Sequence, residues 1–136
     1  MDWKTCFAEK KILIAEDDAL NRELMSDIFA TMSCIPDFAF DGEIAVQKFK
    51  TQSYHLIFMD IQMPKKDGIT ATKEIRQHEK TTGQNRIPIL ALTASILDQD
   101  KRNCLAAGID DFVSKPIHLT ELRTKMAKYL LENTLQ

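Results

Sequence analysis

Acidic side chains follow two apolar runs in this sequence. Residues 12–15 (ILIA) lead into the acidic triplet Glu16–Asp18, and residues 56–59 (LIFM) lead into Asp60. Grouped carboxylate oxygens are the ligands that Mg²⁺ prefers, and a carboxylate can also act as a nucleophile. If both runs are parallel strands of one sheet, their carboxyl ends meet where open α/β sheets bind ligands. The pattern therefore predicts a divalent cation site beside a candidate nucleophile, Asp60.

Two further runs end in groups that suit a phosphoryl group. Residues 87–92 (IPILAL) lead into Thr93, and residues 112–114 (FVS) lead into Lys115. A hydroxyl and an ammonium at the same edge could hold phosphoryl oxygens. Taken singly, each residue has an ordinary explanation, and Asp18 is expected to be the N-cap of the first helix. The functional interpretation depends on their joint occurrence at successive strand ends.

Strand-like and helix-like segments alternate along the chain, which predicts five βα units. The predicted strands span residues 12–15, 34–38, 56–59, 87–92 and 111–114. Asp41 and Asp67 are expected to cap the second and third helices. Ser95 with Asp98 resembles a capping box for the fourth helix, which Gly108 should end. Near-continuous apolar strands favour a parallel sheet with helices on both faces.

Apolar stripes at helical spacing predict the buried faces of the helices. For the first helix the predicted face comprises Leu20, Leu24, Met25, Ile28, Phe29 and Met32.

Composition sets broad limits on function. The 136 residues are 44% hydrophobic and 28% charged with a net charge of −2, which predicts one soluble domain and no direct binding of nucleic acid or anionic membrane. No apolar stretch approaches the roughly 20 residues of a membrane span, and no signal peptide is evident. We therefore expect a cytoplasmic protein in which Cys6, Cys34 and Cys104 are reduced thiols.

The expected domain spans residues 11–131, preceded by a polar lead-in at 1–10 and followed by a tail at 132–136. The initial Met and the lack of a linker favour a stand-alone protein over a segment of a longer one.

Four strings, ILIAEDD, MDIQMP, ALTA and VSKP, stand in this order at the predicted strand ends. They resemble the receiver domain of two-component response regulators, of the chemotaxis-receiver type, over about Lys11 to Leu131. The pair Asn21–Arg22 and the strings MDIQMP and ALTA look most like receivers of hybrid sensor kinases and phosphorelays. The resemblance implies a flavodoxin-like (βα)5 fold with strand order 2-1-3-4-5 and a cis peptide between Lys115 and Pro116.

The resemblance also implies a chemistry. Asp60 would be the phosphoacceptor that attacks a partner's phosphohistidine. Asp17 and Asp60 would bind Mg²⁺, or Mn²⁺ as a substitute, directly, Glu16 would bind it through water, and the Gln62 backbone carbonyl would add a ligand. Such a protein is a signalling domain with slow self-dephosphorylation, not an enzyme, although a hybrid-kinase parent would be a histidine kinase.

Other family positions would hold the phosphoryl group and report its presence. Thr93, Lys115 and the Ala94 amide would contact phosphoryl oxygens, and Thr93 with Phe112 would form the switch. Phe112 stands where many receivers have Tyr, so a hydroxyl is missing. His118 stands where related sequences often have an Asp, which makes it a poorer helix cap.

The implied partners are a histidine kinase or a histidine phosphotransfer protein. A downstream protein would bind the face formed by the fourth helix, fifth strand and fifth helix. The phosphodonor would dock near the first helix, and the predicted docking residues are Leu20, Asn21, Leu24, Pro116 and Ile117.

Three alternatives share parts of this pattern. A haloacid dehalogenase-like phosphatase would need D-x-D after the first strand with the first Asp attacking, whereas the candidate nucleophile here follows the third strand. A flavodoxin-like flavin binder would need a Ser/Thr/Gly phosphate loop where the acidic triplet stands. A receiver-like binding module that takes no phosphate would be expected to lack some of the phosphochemistry residues, all of which are present.

Overall fold

The chain alternates strands and helices around one parallel sheet. The computed structural model describes residues 5–94 and 98–131, except for the side chains of residues 98 and 99. The strands are β1 (Ile12–Ala15), β2 (Asp37–Ala39), β3 (Leu56–Asp60), β4 (Ile89–Thr93) and β5 (Asp111–Ser114). The helices are α1 (Ala19–Ala30), α2 (Gly42–Thr51), α3 (Gly68–Thr82), α4 (Asp98–Ala107) and α5 (Leu119–Leu130). The sheet order is β2-β1-β3-β4-β5 with all pairs parallel, which confirms the predicted fold.

The sheet separates two apolar cores because successive strand residues face opposite sides. In β1, Ile12 and Ile14 belong to the core that includes residues of α1 and α5. Leu13 and Ala15 belong to the core that includes residues of α2, α3 and α4. Both faces are therefore covered by helices, as near-continuous apolar strands require.

Two strands begin later than the sequence predicts, and a proline explains each difference. Pairing of β2 with β1 starts at Asp37, after Pro36, and β4 starts at Ile89, after Pro88. Proline has no N–H to donate to a strand ladder. The predicted starts at residues 34 and 87 were therefore too early.

The predicted N-caps of the first three helices are confirmed. Asp18, Asp41 and Asp67 each accept a backbone N–H of the first helical turn with a side-chain oxygen. His118 makes no side-chain cap hydrogen bond to α5, which agrees with its expected weakness as a cap. Gly108 follows α4 with a φ of +110°, whereas the proposed Ser95–Asp98 capping box lies outside the described residues.

The buried face of α1 is narrower than its apolar stripe. Met25, Ile28 and Phe29 are buried, and Met32 is buried just beyond the end of the helix. Leu20 and Leu24 are exposed. The prediction that they belong to the buried face of α1 was therefore wrong. Both lie in the first half of α1, near the carboxyl edge of the sheet.

Residues 5–10 pack on the domain even though a polar lead-in was expected. Phe7 is fully buried in the α1/α5 core, and the Cys34 thiol donates to Lys10 O at 3.7 Å. The boundary at residue 11 stays a prediction, since residues 1–4 and the expected tail at 132–136 lie outside the described residues. None of the helices in the described ranges has the length and apolar character to cross a membrane.

A buried ion network joins α3 to the strands beside it. The Arg76 guanidinium contacts Glu79 Oε1 at 2.9 Å and Asp110 Oδ2 at 2.8 Å, and it donates to the carbonyls of Ile87 and Gly108. Glu79 in turn accepts the Ile87 N–H just before β4, and Asp110 accepts the Ile89 N–H at the start of β4. The network therefore ties the end of α3 and the α4–β5 turn to β4.

Candidate functional site

Three charged side chains meet at the carboxyl edge of the sheet. Lys115 Nζ lies 2.8 Å from Glu16 Oε1 and 3.0 Å from Asp60 Oδ2. Glu16 is 1% exposed and Asp60 is 5% exposed, while Asp17 faces solvent. The peptide between Lys115 and Pro116 is cis, as the family resemblance implies. The strand ends thus bring together residues that are far apart in sequence.

Local backbone contacts hold Asp60 in place. The Gln62 N–H donates to Asp60 Oδ1 at 3.1 Å, and the Gly68 N–H donates to Ile61 O at 2.9 Å. A Cβ at position 68 would lie only 2.2 Å from Asp60 O, so α3 can begin this close to β3 only with glycine. Residues 61–67 therefore form a loop that closes back on the end of β3.

Burial and neighbouring charges shift two pKa values in the site. Burial raises the pKa of the Glu16 carboxyl, and the adjacent Asp60 carboxylate raises it further, while Lys115 opposes both effects. Burial alone would lower the pKa of Lys115, but its contacts with Glu16 and Asp60 outweigh burial and raise it. The ammonium therefore stays charged at neutral pH and offsets part of the negative charge.

A cavity of about 560 Å³ opens at this edge. Its lining residues are Glu16, Asp17, Asp18, Asn21, Asp60, Ile61, Gln62, Leu92, Thr93, Ala94, Asp100 and Lys115. All predicted residues of the phosphoryl and metal site, as well as Asn21 from the docking prediction, lie around it. Asp100 was not predicted, because an acid in the first turn of a helix has no feature in sequence that distinguishes it from an ordinary helix-dipole partner.

The carboxylates of this cavity fit a hard divalent cation. One oxygen each from Glu16, Asp17 and Asp60 lies within 4.8 Å of the others. Glu16 Oε1 is buried and forms an ion pair with Lys115 but no well-directed hydrogen bond. This donor set of carboxylate oxygens, one of them with unused capacity, matches the ligand preference of Mg²⁺ and Mn²⁺.

The predicted switch residues lie on neighbouring strands. Thr93 ends β4 and is half-buried beside the cavity, and the Lys115 N–H donates to Thr93 O at 2.9 Å. Phe112 in β5 is half-buried against the core that includes residues of α2, α3 and α4. Lys101 Nζ lies 5.8 Å from the centroid of the Phe112 ring. A cation at this distance from an aromatic face is weakly attracted.

The predicted docking residues do not all reach the surface. Leu20, Leu24 and Pro116 are exposed, and Asn21 is half-buried at the cavity. Ile117 is only 7% exposed because its side chain packs into the α1/α5 core. The assignment of Ile117 to a docking surface is therefore corrected: it is a core residue beneath that surface.

Comparison with known proteins assigns the family. A family model described as "Response regulator receiver domain" matches residues 12–127. The chain is 44% identical over 127 residues to hybrid signal transduction histidine kinase G of Dictyostelium discoideum, an alignment that covers 92% of this chain but 4% of that protein. It is 33% identical over 141 residues to the response regulator mcs4 of Schizosaccharomyces pombe, covering 87% of this chain and 27% of that protein. The chain thus spans a small part of these curated relatives.

Solved structures agree with this assignment. The receiver domain of Ssk1 from Saccharomyces cerevisiae, crystallised with the histidine phosphotransfer protein Ypd1, superposes with a TM-score of 0.84 at 35% identity, covering 90% of this chain and 89% of that one. The receiver domain of the sensor histidine kinase PA1611 from Pseudomonas aeruginosa PAO1, with a magnesium ion in its active-site cleft, gives 0.79 at 35% identity, covering 88% and 96%. From its sequence match, its fold and the residues at its sheet edge, this chain belongs to the response regulator receiver domain family of two-component and phosphorelay signalling.

Proposed function

We propose that Asp60 accepts a phosphoryl group from a phosphohistidine on a partner protein. The observation that carries this proposal is the Asp60 carboxylate itself, which lines the cavity and pairs with Lys115 at 3.0 Å. Lys115 offsets part of the negative charge that Glu16 and Asp17 place around Asp60. A carboxylate in this setting is placed to act as a nucleophile rather than as a helix cap.

In the transfer step, an oxygen of Asp60 attacks the phosphorus of the phosphohistidine. A P–O bond forms, the P–N bond breaks, and the electron pair of that bond stays on the imidazole nitrogen. Lys115 is charged and lies at Asp60 Oδ2, so it is placed to neutralise a phosphoryl oxygen. The Thr93 hydroxyl and the Ala94 N–H would contact the remaining phosphoryl oxygens from the same cavity. Slow hydrolysis of the acyl phosphate would end the signal.

Asp17 and Asp60 would hold Mg²⁺ directly, Glu16 would hold it through water, and the Gln62 carbonyl would add a ligand. The bound ion would neutralise charge on the transferring phosphoryl group, and Mn²⁺ would serve as a substitute because it accepts the same oxygen ligands. The carboxylate cluster supports this assignment, as does the magnesium ion in the related PA1611 receiver.

We further propose which proteins this chain meets. The phosphodonor would be a histidine kinase or a histidine phosphotransfer protein, which agrees with the Ypd1 complex of the similar Ssk1 receiver. It would dock over Leu20 and Leu24, which are exposed in the first half of α1. All of this would take place in the cytoplasm, where free thiols such as Cys34 and Cys104 stay reduced.

Phosphorylation would signal through Thr93 and Phe112. The Thr93 hydroxyl would move toward the phosphoryl group, and the Phe112 ring would turn into the space that it leaves. This would repack the face of α4, β5 and α5, where a downstream protein would bind. Since Phe112 has no hydroxyl, the inward state would depend on burial of the ring alone.

The test is phosphorylation by a small donor. With Mg²⁺ and acetyl phosphate, the protein should gain one phosphoryl group that hydroxylamine removes, as intact-mass spectrometry would show. Asp60→Asn should abolish the gain, and Asp27→Asn, which alters an exposed acid of α1, should leave it unchanged. Labelling of Asp60→Asn to the wild-type level would refute the assignment. Absence of labelling in the wild-type protein would favour a binding module that takes no phosphate.

A further inference from the structure

The peptide of Glu16, at the centre of the acidic site, is held from both sides. Its N–H donates to Ala39 O at 2.9 Å, and its carbonyl accepts from Arg22 Nη1 at 3.0 Å. Arg22 lies in the first half of α1, so its side chain reaches back to the turn that precedes the helix. The turn that carries Glu16 and Asp17 is therefore hydrogen-bonded both to the end of β2 and to α1.

The Arg22 guanidinium is itself supported by an aromatic ring. Its Cζ lies 4.3 Å from the centroid of the Phe40 ring, which is within the range of a cation–π contact. Phe40 follows β2 directly and is 56% exposed, so it contributes little to either core. The cation–π contact with Arg22 is therefore the main described contact of this exposed ring.

We propose that Arg22, supported by Phe40, is a positioning residue for the divalent cation site. It fixes the carbonyl of Glu16 and thereby the turn from which Glu16 and Asp17 present their carboxylates. Substitution of groups that orient metal ligands typically lowers metal affinity or activity by roughly 10–100-fold. This inference rests on the proposed Mg²⁺ site and adds residues that are not themselves ligands.

Because Arg22 is positively charged, the direction in which Mg²⁺ affinity changes on its removal tests the inference. Arg22 is a cation close to a site for a cation, so an electrostatic role alone would oppose Mg²⁺ binding, and its removal would tighten binding. A positioning role has the opposite consequence, because loss of the Glu16 contact lets the ligand turn move. The direction of the change in Mg²⁺ affinity therefore separates the two roles.

The experiment is calorimetric titration of the full chain with Mg²⁺ at pH 8. Arg22→Met should weaken binding by about tenfold, as substitutions of ligand-orienting residues do. Phe40→Leu, which keeps the charge of Arg22 and removes its support, should weaken binding in the same direction by a smaller factor. Lys73→Met, which removes an exposed cation of α3, is the matched control for net charge and should change affinity less than about twofold.

Unchanged or tighter binding by Arg22→Met would overturn the inference. If Arg22→Met fails to unfold cooperatively on heating, Phe40→Leu decides the question, and wild-type affinity in that variant overturns it equally. Asp17→Ala separates this outcome from failure of the proposed site. Loss of binding in Asp17→Ala together with normal affinity in both other variants would reject the positioning role only, whereas wild-type affinity in Asp17→Ala would reject the proposed cation site.

Discussion

The Lys115 ammonium lies 3.0 Å from Asp60 Oδ2, although 55 positions separate the two residues in sequence. The same ammonium lies 2.8 Å from Glu16 Oε1. It therefore lies between two carboxylates of the proposed site, where a divalent cation would bind and where Asp60 would receive a phosphoryl group. Lys115 should oppose the first of these ligands and favour the second, so its removal should affect the two in opposite directions.

Lys115→Gln should bind Mg²⁺ more tightly than the wild-type protein at pH 8, by roughly fivefold, since a unit charge at about 4 Å in water is worth on the order of 1 kcal/mol. The same variant should be phosphorylated by acetyl phosphate more slowly, because a phosphoryl oxygen loses its cation. Calorimetry and mass spectrometry measure the two effects. Lys80→Gln, an exposed lysine in the last turn of α3, is the control. Weaker Mg²⁺ binding by Lys115→Gln would contradict this account of the ion pair.

Leu24→Asp should impair phosphotransfer from a histidine phosphotransfer protein and leave labelling by acetyl phosphate intact, because only the protein donor needs the exposed surface of α1. Leu105→Asp, at an exposed leucine of α4, should leave both routes intact. Radiolabel transfer from the phosphorylated donor gives the rate of the first route. Equal loss by both routes in Leu24→Asp would indicate misfolding, and loss by neither would place the donor elsewhere.

Arg76→Met should lower the free energy of unfolding by about 3–5 kcal/mol, because it leaves the buried Glu79 carboxylate without its cation. Arg86→Met is the matched comparison, since Arg86 also contacts Asp110 but is 56% exposed against 9% for Arg76. Its cost should be about 0–1 kcal/mol. Urea unfolding monitored by circular dichroism measures both. Equal costs for the two variants would show that burial does not set the strength of this network.

Stability in acid should depend on Asp111. Burial would raise the pKa of this carboxyl, but hydrogen bonds from Lys125, the Phe112 N–H and Tyr129 outweigh burial and lower the pKa below its usual value. A carboxyl with a lowered pKa stabilises the fold above about pH 4, the pKa of unfolded Asp, and loses this effect as pH falls through the folded value.

The free energy of unfolding of Asp111→Asn at pH 7 should therefore be about 1.5–3 kcal/mol lower than that of the wild type, since hydrogen bonds to a charged group are lost. The difference should narrow as pH falls below about 4, where the unfolded carboxyl takes up its proton, and should be lost once pH falls below the lowered pKa of the folded state. Urea unfolding at a series of pH values measures it. A gap that stays constant down to pH 2 would mean that the Asp111 charge is not what stabilises this region.

The sequence by itself determined the strand ends that carry Asp60, Thr93 and Lys115, because apolar runs that end in polar residues are a local pattern. It likewise determined the N-caps Asp41 and Asp67, since a cap acts within its own helical turn. Family motifs placed at those strand ends were enough to predict the strand order. The late starts of β2 and β4 could also have been predicted from the sequence, because the missing N–H of proline is a local property.

Only the tertiary structure decided which side chains meet across elements. The burial of Ile117, the contact of Arg22 with Phe40 and Glu16, and the place of Asp100 at the cavity all depend on how helices pack on the sheet. An arginine on a helix surface or an aromatic residue after a strand looks ordinary in sequence. Such contacts join residues on separate elements, and their geometry is set by packing of the whole domain rather than by local preference.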